Sequence, residues 1–313
     1  MSRVGVLMVA PLPKHIVEPL EAEFTVYRLW QPEDRDLFLG EVADDVRGIA
    51  TSGMDGADAA LIGALPKLEI ISCFGVGVDP IDLDAAAAHD VIVTNTPDVL
   101  TDDVADLALA LMLAVTRRLA EGDRFVRAGR WLKGNLPLGT KMAGRTVGIV
   151  GLGRIGQATA RRAEACGMTV VYHGPRHKPD QPYRYYDDLR AMAADADILV
   201  VTCPGGEATH HIVDAAVLEA LGPDGILINV ARGSVVDEPA LVRALEDGRL
   251  GGAGLDVFED EPRVPEALIG LDNVVLLPHL GSATVETRRA MCDLVVENLR
   301  RHFAGQPVLT PVR

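Results

Sequence analysis

The sequence predicts an α/β protein built from two doubly wound parallel-sheet domains. The chain has 313 residues, which is longer than one hydrophobic core usually serves. Hydrophobic residues make up 48% of it and aromatic residues 4%, a composition that suits helices packed on buried parallel sheets. Short β-branched segments also alternate with helical ones along the chain. These three observations predict the fold class.

The first half of the chain contains one alternating series of strands and helices. Its strands are expected at residues 4–10, 48–51, 69–73 and 91–94. Residues 101–118 follow with helical apolar spacing and an acidic first turn, so they predict a long helix with Thr101 near its N-cap.

The second half contains a further series, for which we predict six strands. These are expected at residues 145–150, 168–172, 197–202, 225–230, 254–257 and 273–277. A last helix is expected over residues 284–303. Because it follows the completed second series, we expect this helix to return to the first half. Residues 1–98 and 286–313 then form one discontinuous domain, and residues 99–285 form a second domain inserted into it.

The net charge of the chain indicates which partners to expect, and the spacing of its cysteines indicates the compartment. A formal net charge of −15 disfavours nucleic acid and anionic membranes, because both are polyanions. Cys73, Cys166, Cys203 and Cys292 lack metal-ligand spacing, so we expect reduced thiols in a cytoplasmic protein, without zinc or disulfides. The chain starts like a strand rather than a signal peptide, and its apolar runs fall short of the ~18 residues that span a bilayer.

A glycine-rich turn predicts a dinucleotide site. Gly151, Gly153 and Gly156 form a G-x-G-x-x-G pattern, which is weak evidence by itself. Here the pattern follows a predicted strand at 146–150 and precedes an alanine-rich helix at 157–165. The three glycines suit a tight turn, close approach of a pyrophosphate and close helix packing, as in a Rossmann domain. The amides of the helix N-terminus suit its phosphates.

The end of the next strand indicates which nicotinamide cofactor is bound. An Asp or Glu there holds the adenosine ribose of NAD, but the first acidic residue after Tyr172 is Asp180. Arg176 and Lys178 lie in that place instead, and arginine binds phosphate in a bidentate manner. We therefore expect NADP(H) to be preferred, with NAD(H) possible. The alternative is a solvated basic surface loop.

Polar residues follow three later strands, in the segments 229–234, 255–262 and 277–284. Ligands bind at the carboxyl ends of strands in open α/β sheets. At these segments, and over residues 70–284 as a whole, the sequence resembles the D-isomer-specific 2-hydroxyacid dehydrogenase family. The resemblance implies a Rossmann cofactor domain inserted into a flavodoxin-like substrate domain, in agreement with the order of elements above.

The resemblance also assigns roles to single residues. It implies that Arg232 binds the carbonyl and carboxylate of the substrate, that His279 is the acid/base, and that Glu261 is the partner of His279. Asp256 is expected to face the nicotinamide side of the cofactor. An imidazolium near the carbonyl would protonate the developing alkoxide, and a carboxylate beside it favours the charged imidazole. Taken singly, Arg232 would also suit a surface ion pair, Glu261 a solvated turn and His279 a hydrogen-bonded loop.

Further contacts follow from the same resemblance. Val76 and Gly77 are expected to bind the substrate carboxylate through their amides, although a plain glycine turn is the alternative. Trp131 is expected either to reach the active site of a partner subunit in a homodimer or to anchor the dimer interface, and Ser282 to contact the substrate. Beside the three glycines and Arg176, the expected cofactor contacts are Thr101, Leu152, Arg154, Ile155, His173, Gly174, Cys203, Pro204, Thr209, Val230, Ala231, Arg232, Asp256, His279 and Ser282.

The expected activity is therefore the NADPH-dependent reduction of a small 2-keto acid to the D-2-hydroxy acid, with glyoxylate or hydroxypyruvate as substrate. Reduction of aromatic 2-keto acids of the phenylpyruvate type is an alternative. A nicotinamide-sensing, corepressor-like binding protein is a second alternative, because a fold does not fix a function.

Overall fold

The computed structural model describes residues 3–312 and divides into two compact units. The first unit consists of the described residues up to Leu100 and from Thr284 onward, and the second of Thr101–Ala283. Each unit has its own sheet, and all of the paired strands are parallel. The predicted fold class is confirmed.

The sheet of the first unit has five strands. The strands are β1 (Gly5–Met8), β2 (Thr25–Arg28), β3 (Val46–Ser52), β4 (Ile70–Phe74) and β5 (Ile92–Thr94). The helices before residue 100 are α1 (Lys14–Glu23), α2 (Arg35–Val42), α3 (Ala59–Gly63) and α4 (Leu83–Ala88). The strand order β2-β1-β3-β4-β5 is that of flavodoxin-like sheets. Strand β2 is missing from the sequence prediction.

The sheet of the second unit has seven strands. The strands are β6 (Thr146–Val150), β7 (Thr169–His173), β8 (Arg184–Tyr186), β9 (Ile198–Val201), β10 (Ile226–Asn229), β11 (Gly252–Leu255) and β12 (Val274–Leu276). The helices are α5 (Thr101–Thr116), α6 (Leu119–Arg127), α7 (Arg154–Ala165), α8 (Leu189–Asp195), α9 (Ala215–Leu221), α10 (Glu238–Glu246) and α11 (Glu266–Ile269).

The strand order in this sheet is β12-β11-β10-β9-β6-β7-β8. The chain begins in the middle at β6, proceeds to one edge at β8 and then crosses to β9 on the other side of β6. This is the Rossmann order with one added strand, and the reversal between β6 and β9 is the switch point where such sheets bind ligands. The prediction of six strands is wrong, because it omits β8, and α7 begins three residues earlier than expected.

The last helix belongs to the first unit. Helix α12 (Val285–Phe303) is capped by Thr284, whose hydroxyl accepts a hydrogen bond from the Thr287 amide at 3.3 Å. The helix packs on β4, where the Ser72 hydroxyl donates to the Val295 carbonyl at 3.1 Å. Its end packs against the residue after α1, with the rings of Phe24 and Phe303 5.8 Å apart. The helix therefore covers one face of the five-stranded sheet.

Continuously buried, mostly apolar strands build both cores. Strands β1, β4, β9 and β10 are buried at every position. Strands covered by helices on both faces require this pattern. Among the described residues, no helix is both long and apolar enough to cross a membrane.

Candidate active site

Most of the site residues predicted for the second unit lie at or shortly after the carboxyl ends of its strands. Gly151 follows β6, Gly174 follows β7, and Cys203 lies two residues beyond β9. Further along the sheet, Val230 follows β10, Asp256 follows β11, and His279 lies three residues beyond β12. Because all of these strands are parallel, their carboxyl ends lie along one edge of the sheet.

Two of the three glycines are required by packing. Gly151 has a φ of +93°, and a Cβ atom there would lie 2.7 Å from the backbone of Cys203. A Cβ atom on Gly156 would lie 2.2 Å from the carbonyl oxygen of Gly151. The turn therefore packs against the end of β9 and the start of α7, and a side chain at either position displaces the backbone.

The third glycine faces open space. Apart from the chain neighbours of Gly153, no atom of residues 3–312 lies within 4 Å of the place where its Cβ would stand. Gly153 is also the N-cap residue of α7, so it brings no side chain to the amides of the first turn. Open space beside helix N-terminal amides suits the pyrophosphate of a dinucleotide, so the residues fit this cofactor.

The strand after the turn is tied to it. The Gly151 amide donates to the carbonyl of His173 at 2.9 Å, and the His173 Nδ1 atom lies 3.0 Å from the Tyr186 carbonyl oxygen on β8. Arg176 lies in the loop beyond and is exposed. Its contact with a 2′-phosphate stays a prediction.

The segment after β9 is organised by a threonine. The Thr209 hydroxyl donates to the carbonyl of Pro204 at 2.7 Å and also lies 3.2 Å from the Gly206 carbonyl. Cys203 is buried, which raises the pKa of its thiol to about 11. The thiol is therefore protonated at neutral pH, and the threonine hydrogen bonds order the segment beside the glycine-rich turn.

His279 and Glu261 form a hydrogen-bonded pair. The Nδ1 atom of His279 lies 2.8 Å from a carboxylate oxygen of Glu261, while the imidazole is one-third exposed. The other Glu261 oxygen accepts the Phe258 amide at 3.0 Å. Burial acts to raise the pKa of Glu261, but the hydrogen bond and charge of His279 outweigh it and hold the pKa below its usual value. Glu261 is therefore an ionised partner that orients the imidazole.

Asp256 holds the loop that carries His279. One carboxylate oxygen accepts the Leu280 amide at 2.6 Å and the other accepts the Gly281 amide at 2.8 Å, while the Asp256 carbonyl accepts the His279 amide at 2.9 Å. Burial raises the pKa of Asp256, and the two amides partly offset that effect. These hydrogen bonds to backbone amides were not predicted from the sequence, and the expected contact of Asp256 with the cofactor stays a prediction.

The turn that carries Arg232 is fixed from both sides. The buried Asn229 side chain donates to the Arg232 carbonyl at 2.8 Å and accepts the Ala231 amide at 3.0 Å. A Cβ atom on Gly233 would lie 1.9 Å from the carbonyl carbon of Phe258. The arginine turn therefore packs directly on the loop that leads to Glu261, and the Arg232 charge helps to lower the pKa of Glu261. Neither Asn229 nor Gly233 was among the predicted site residues.

The predicted carboxylate loop lies in the first unit, directly after β4. The Asn95 side chain donates to the Val76 carbonyl at 2.8 Å. The Gly75 amide donates to the hydroxyl of the buried Thr96 at 3.1 Å. The loop with Val76 and Gly77 is thus held by the segment after β5. Binding of a carboxylate by its amides stays a prediction.

The remaining predicted residues are placed as follows. Trp131 lies in a 3₁₀ helix, Arg130–Leu132, and is 66% exposed. Thr101 is the first residue of α5, and Ser282 lies between β12 and α12. Among the described residues, no group of three or more His, Cys, Asp or Glu side chains is arranged to hold a metal ion.

Comparison with known proteins shows which family the chain resembles. Residues 109–281 match the family model of the NAD-binding domain of D-isomer-specific 2-hydroxyacid dehydrogenases. The chain is 55% identical to a hydroxyphenylpyruvate reductase of Plectranthus scutellarioides, over all of both chains. It is 53% identical to a glyoxylate/hydroxypyruvate reductase of Arabidopsis thaliana, again over the full length of both.

A solved structure is similar over the same length. The NADPH-dependent glyoxylate/hydroxypyruvate reductase of Sinorhizobium meliloti, in complex with NADP and malonate, is 47% identical to this chain and superimposes with a TM-score of 0.93. The match covers 99% of this chain and 97% of that protein.

Proposed function

The chain belongs to the D-isomer-specific 2-hydroxyacid dehydrogenase family and is an oxidoreductase, and we propose that it reduces glyoxylate or hydroxypyruvate with NADPH. The product is the 2-hydroxy acid, in the D form where it is chiral. The observation that carries the proposal is the His279–Glu261 pair, 2.8 Å apart, at the ligand-binding edge of a dinucleotide-type sheet.

The residues at this edge supply what reduction of a keto acid needs. The nicotinamide, when bound, supplies the hydride that adds to C2 of the keto acid. The carbonyl oxygen then gains negative charge, and the His279 imidazolium donates a proton to it. Glu261 stabilises that imidazolium through the hydrogen bond to Nδ1, which leaves Nε2 to the substrate. Arg232 stays charged and orients the carboxylate and the carbonyl together.

Two observations support NADPH rather than NADH. The strand β7 ends without an acidic residue to accept the ribose hydroxyl of NAD, and exposed Arg176 follows it. The Sinorhizobium meliloti enzyme, which is 47% identical, is described as NADPH-dependent. A 2′-phosphate is an anion that an arginine can bind in a bidentate manner.

Aromatic 2-keto acids are the second candidate substrates. The observation in their favour is the 55% identity to a hydroxyphenylpyruvate reductase, against 53% to the glyoxylate/hydroxypyruvate reductase. Both substrate classes share the 2-keto carboxylate that Arg232 and His279 would recognise, so they differ only in the group attached to C2.

A substrate panel tests the proposal. Initial rates of NADPH oxidation are measured with glyoxylate, hydroxypyruvate, pyruvate, phenylpyruvate and hydroxyphenylpyruvate, and each is repeated with NADH. We expect the highest kcat/KM with hydroxypyruvate or glyoxylate and NADPH. A higher value with the aromatic acids favours the second candidate. No oxidation with any of them contradicts the reductase and favours a nicotinamide-sensing role.

We also propose that the protein is a cytoplasmic homodimer. The cysteines are free among the described residues, as expected for a reducing compartment. Large apolar side chains are exposed on one segment of the second unit: Leu119, Val126, Trp131, Leu132 and Leu138. Such a concentration of exposed apolar groups is typical of a protein interface.

A further inference from the structure

The loop between β7 and β8 lies between two tyrosines on neighbouring strands. We call residues 174–178 the arginine loop, because Arg176 is at its centre. Tyr172 of β7 pairs with Tyr185 of β8 in the parallel register, and their rings lie 5.3 Å apart. Tyr172 is buried and Tyr185 is partly buried, so both rings are fixed by packing.

Each tyrosine hydroxyl holds one end of the arginine loop. The Tyr185 hydroxyl donates to the carbonyl of Gly174 at 3.1 Å. The Tyr172 hydroxyl accepts the backbone amide of Lys178 at 2.7 Å. The ring of His177 also lies 5.4 Å from that of Tyr185. The backbone on both sides of Arg176 is therefore tied to rigid groups of the sheet.

The same strands are tied to the glycine-rich turn. The Gly151 amide donates to the carbonyl of His173, the last residue of β7, at 2.9 Å. The His173 side chain lies 3.0 Å from the Tyr186 carbonyl, next to Tyr185 in the chain. The turn that suits the pyrophosphate and the arginine loop are thus joined through one strand end.

We propose that Tyr172 and Tyr185 are positioning residues that fix the arginine loop for the 2′-phosphate of NADPH, and thereby set the preference for NADPH over NADH. This inference rests on the proposed NADPH dependence. A surface loop of five residues would otherwise sample many conformations, and ordering it upon binding would reduce affinity. The two hydroxyls order it beforehand. NADH lacks the 2′-phosphate, so its affinity does not depend on where the loop holds Arg176.

The test replaces the hydroxyls and keeps the rings. The variants are Tyr172→Phe, Tyr185→Phe and the double variant. Tyr183→Phe is the matched control, because its hydroxyl lies in the same β7–β8 segment but donates to Glu164 at 2.8 Å rather than to the loop. Kd values for NADPH and for NADH are measured separately by fluorescence titration, and thermal unfolding is measured for each variant.

We expect the double variant to bind NADPH about tenfold more weakly, since each hydrogen bond contributes a few-fold in affinity. Its Kd for NADH should stay at the wild-type value, as should both Kd values of Tyr183→Phe. A double variant that keeps the wild-type ratio of the two Kd values contradicts the inference. Equal weakening of NADPH and NADH also contradicts it, because it indicates general damage to the sheet.

Arg176→Ala separates this inference from the function on which it rests. If the wild type binds NADPH and NADH equally, or if Arg176→Ala leaves the ratio unchanged, the proposed NADPH dependence is wrong. If Arg176→Ala removes the preference and the tyrosine variants do not, the NADPH dependence holds and the positioning role of the tyrosines is wrong.

Discussion

His279 has a backbone conformation that few residues of its size adopt. Its φ is +53°, in the left-handed region, where side chains other than glycine are uncommon and carry a cost of about 1–3 kcal/mol. Hydrogen bonds to neighbouring residues stabilise this conformation. The Asp256 carboxylate accepts hydrogen bonds from the amides of Leu280 and Gly281, and the Glu261 carboxylate accepts one from the His279 imidazole. Such strain at a ligand-binding edge, stabilised by surrounding hydrogen bonds, suits a residue that must present one ring nitrogen to a substrate.

The lowered pKa of Glu261 predicts a pH dependence of stability. A carboxyl group with a depressed folded-state pKa stabilises the fold above the unfolded-state pKa of about 4.3, and this contribution is lost as the pH falls through the folded value. We therefore expect Glu261→Gln to lower the free energy of unfolding at pH 6. The difference from wild type should shrink below about pH 4. Urea unfolding at several pH values measures it.

His279→Gln provides the control for this experiment. His279 is the main group that lowers the pKa of Glu261. The pH-dependent loss of unfolding free energy caused by Glu261→Gln should therefore be smaller in a protein that already carries His279→Gln. A difference that is the same at every pH in both backgrounds would show that the pair does not stabilise the fold through charge.

The pairing of His279 with Glu261 was predictable from the sequence, whereas the groups that hold the pair in place were not. Arg232, Glu261 and His279 lie in recognisable segments after strands, and the structure joins His279 to Glu261. Asn229 and the carboxylate of Asp256 act on backbone amides and carbonyls, which leave no pattern in a sequence. The contact of Gly233 with Phe258 joins segments that are separate in the chain and depends on tertiary packing.

At the scale of elements, the glycine-rich turn contains glycines in two different environments. Gly156 is needed by the fold, because a Cβ atom would collide with the Gly151 carbonyl, whereas Gly153 borders open space. The sequence pattern treats them alike. The structure shows that packing requires Gly156 to be a glycine, whereas at Gly153 only the predicted dinucleotide would require one.

We expect substitution by alanine to affect stability at one of these glycines and cofactor binding at the other. Gly156→Ala should lower the melting temperature, since the Gly151 carbonyl has to move. Gly153→Ala should keep the wild-type melting temperature but bind NADPH and NADH at least about tenfold more weakly, since its methyl group enters the expected pyrophosphate position. Calorimetry and fluorescence titration measure the two effects. Wild-type cofactor affinity in Gly153→Ala would place the pyrophosphate elsewhere.

The two strands that the sequence prediction missed are both edge strands. β2 and β8 each pair with one neighbour, and they have four and three residues. An edge strand is only partly buried, so it lacks the apolar run that marks β9 or β10. The central strands of both sheets were predicted, because strands covered on both faces are mostly apolar.

At the scale of the whole molecule, the first unit has the flavodoxin-like strand order and the second has the Rossmann order with one added strand, as the family resemblance implies. The second unit interrupts the first between Leu100 and Thr284, and α12 completes the first unit. The exposed apolar side chains of residues 119–138 in the second unit lie outside both cores. Leu132 and Leu138 are 93% and 95% exposed, an arrangement that favours a second copy of the chain as partner.

This segment predicts a change in oligomeric state. We expect light scattering of the wild type to give twice the chain mass of 33.4 kDa. Leu132→Asp with Leu138→Asp should give the monomer, because two carboxylates would be buried without partners at the interface. Leu37→Asp replaces a leucine that is 62% exposed in the first unit and should remain a dimer. A dimeric double variant would exclude this segment from the interface.

The turnover of His279→Ala tests the central claim most directly. NADPH oxidation is measured with hydroxypyruvate at saturating cofactor, beside the Kd for NADPH. We expect kcat to fall about 10²- to 10⁴-fold, because the proton donor is lost, while NADPH still binds. Wild-type turnover in the variant, or loss of NADPH affinity with unchanged kcat, would contradict the assignment of His279 as the proton donor.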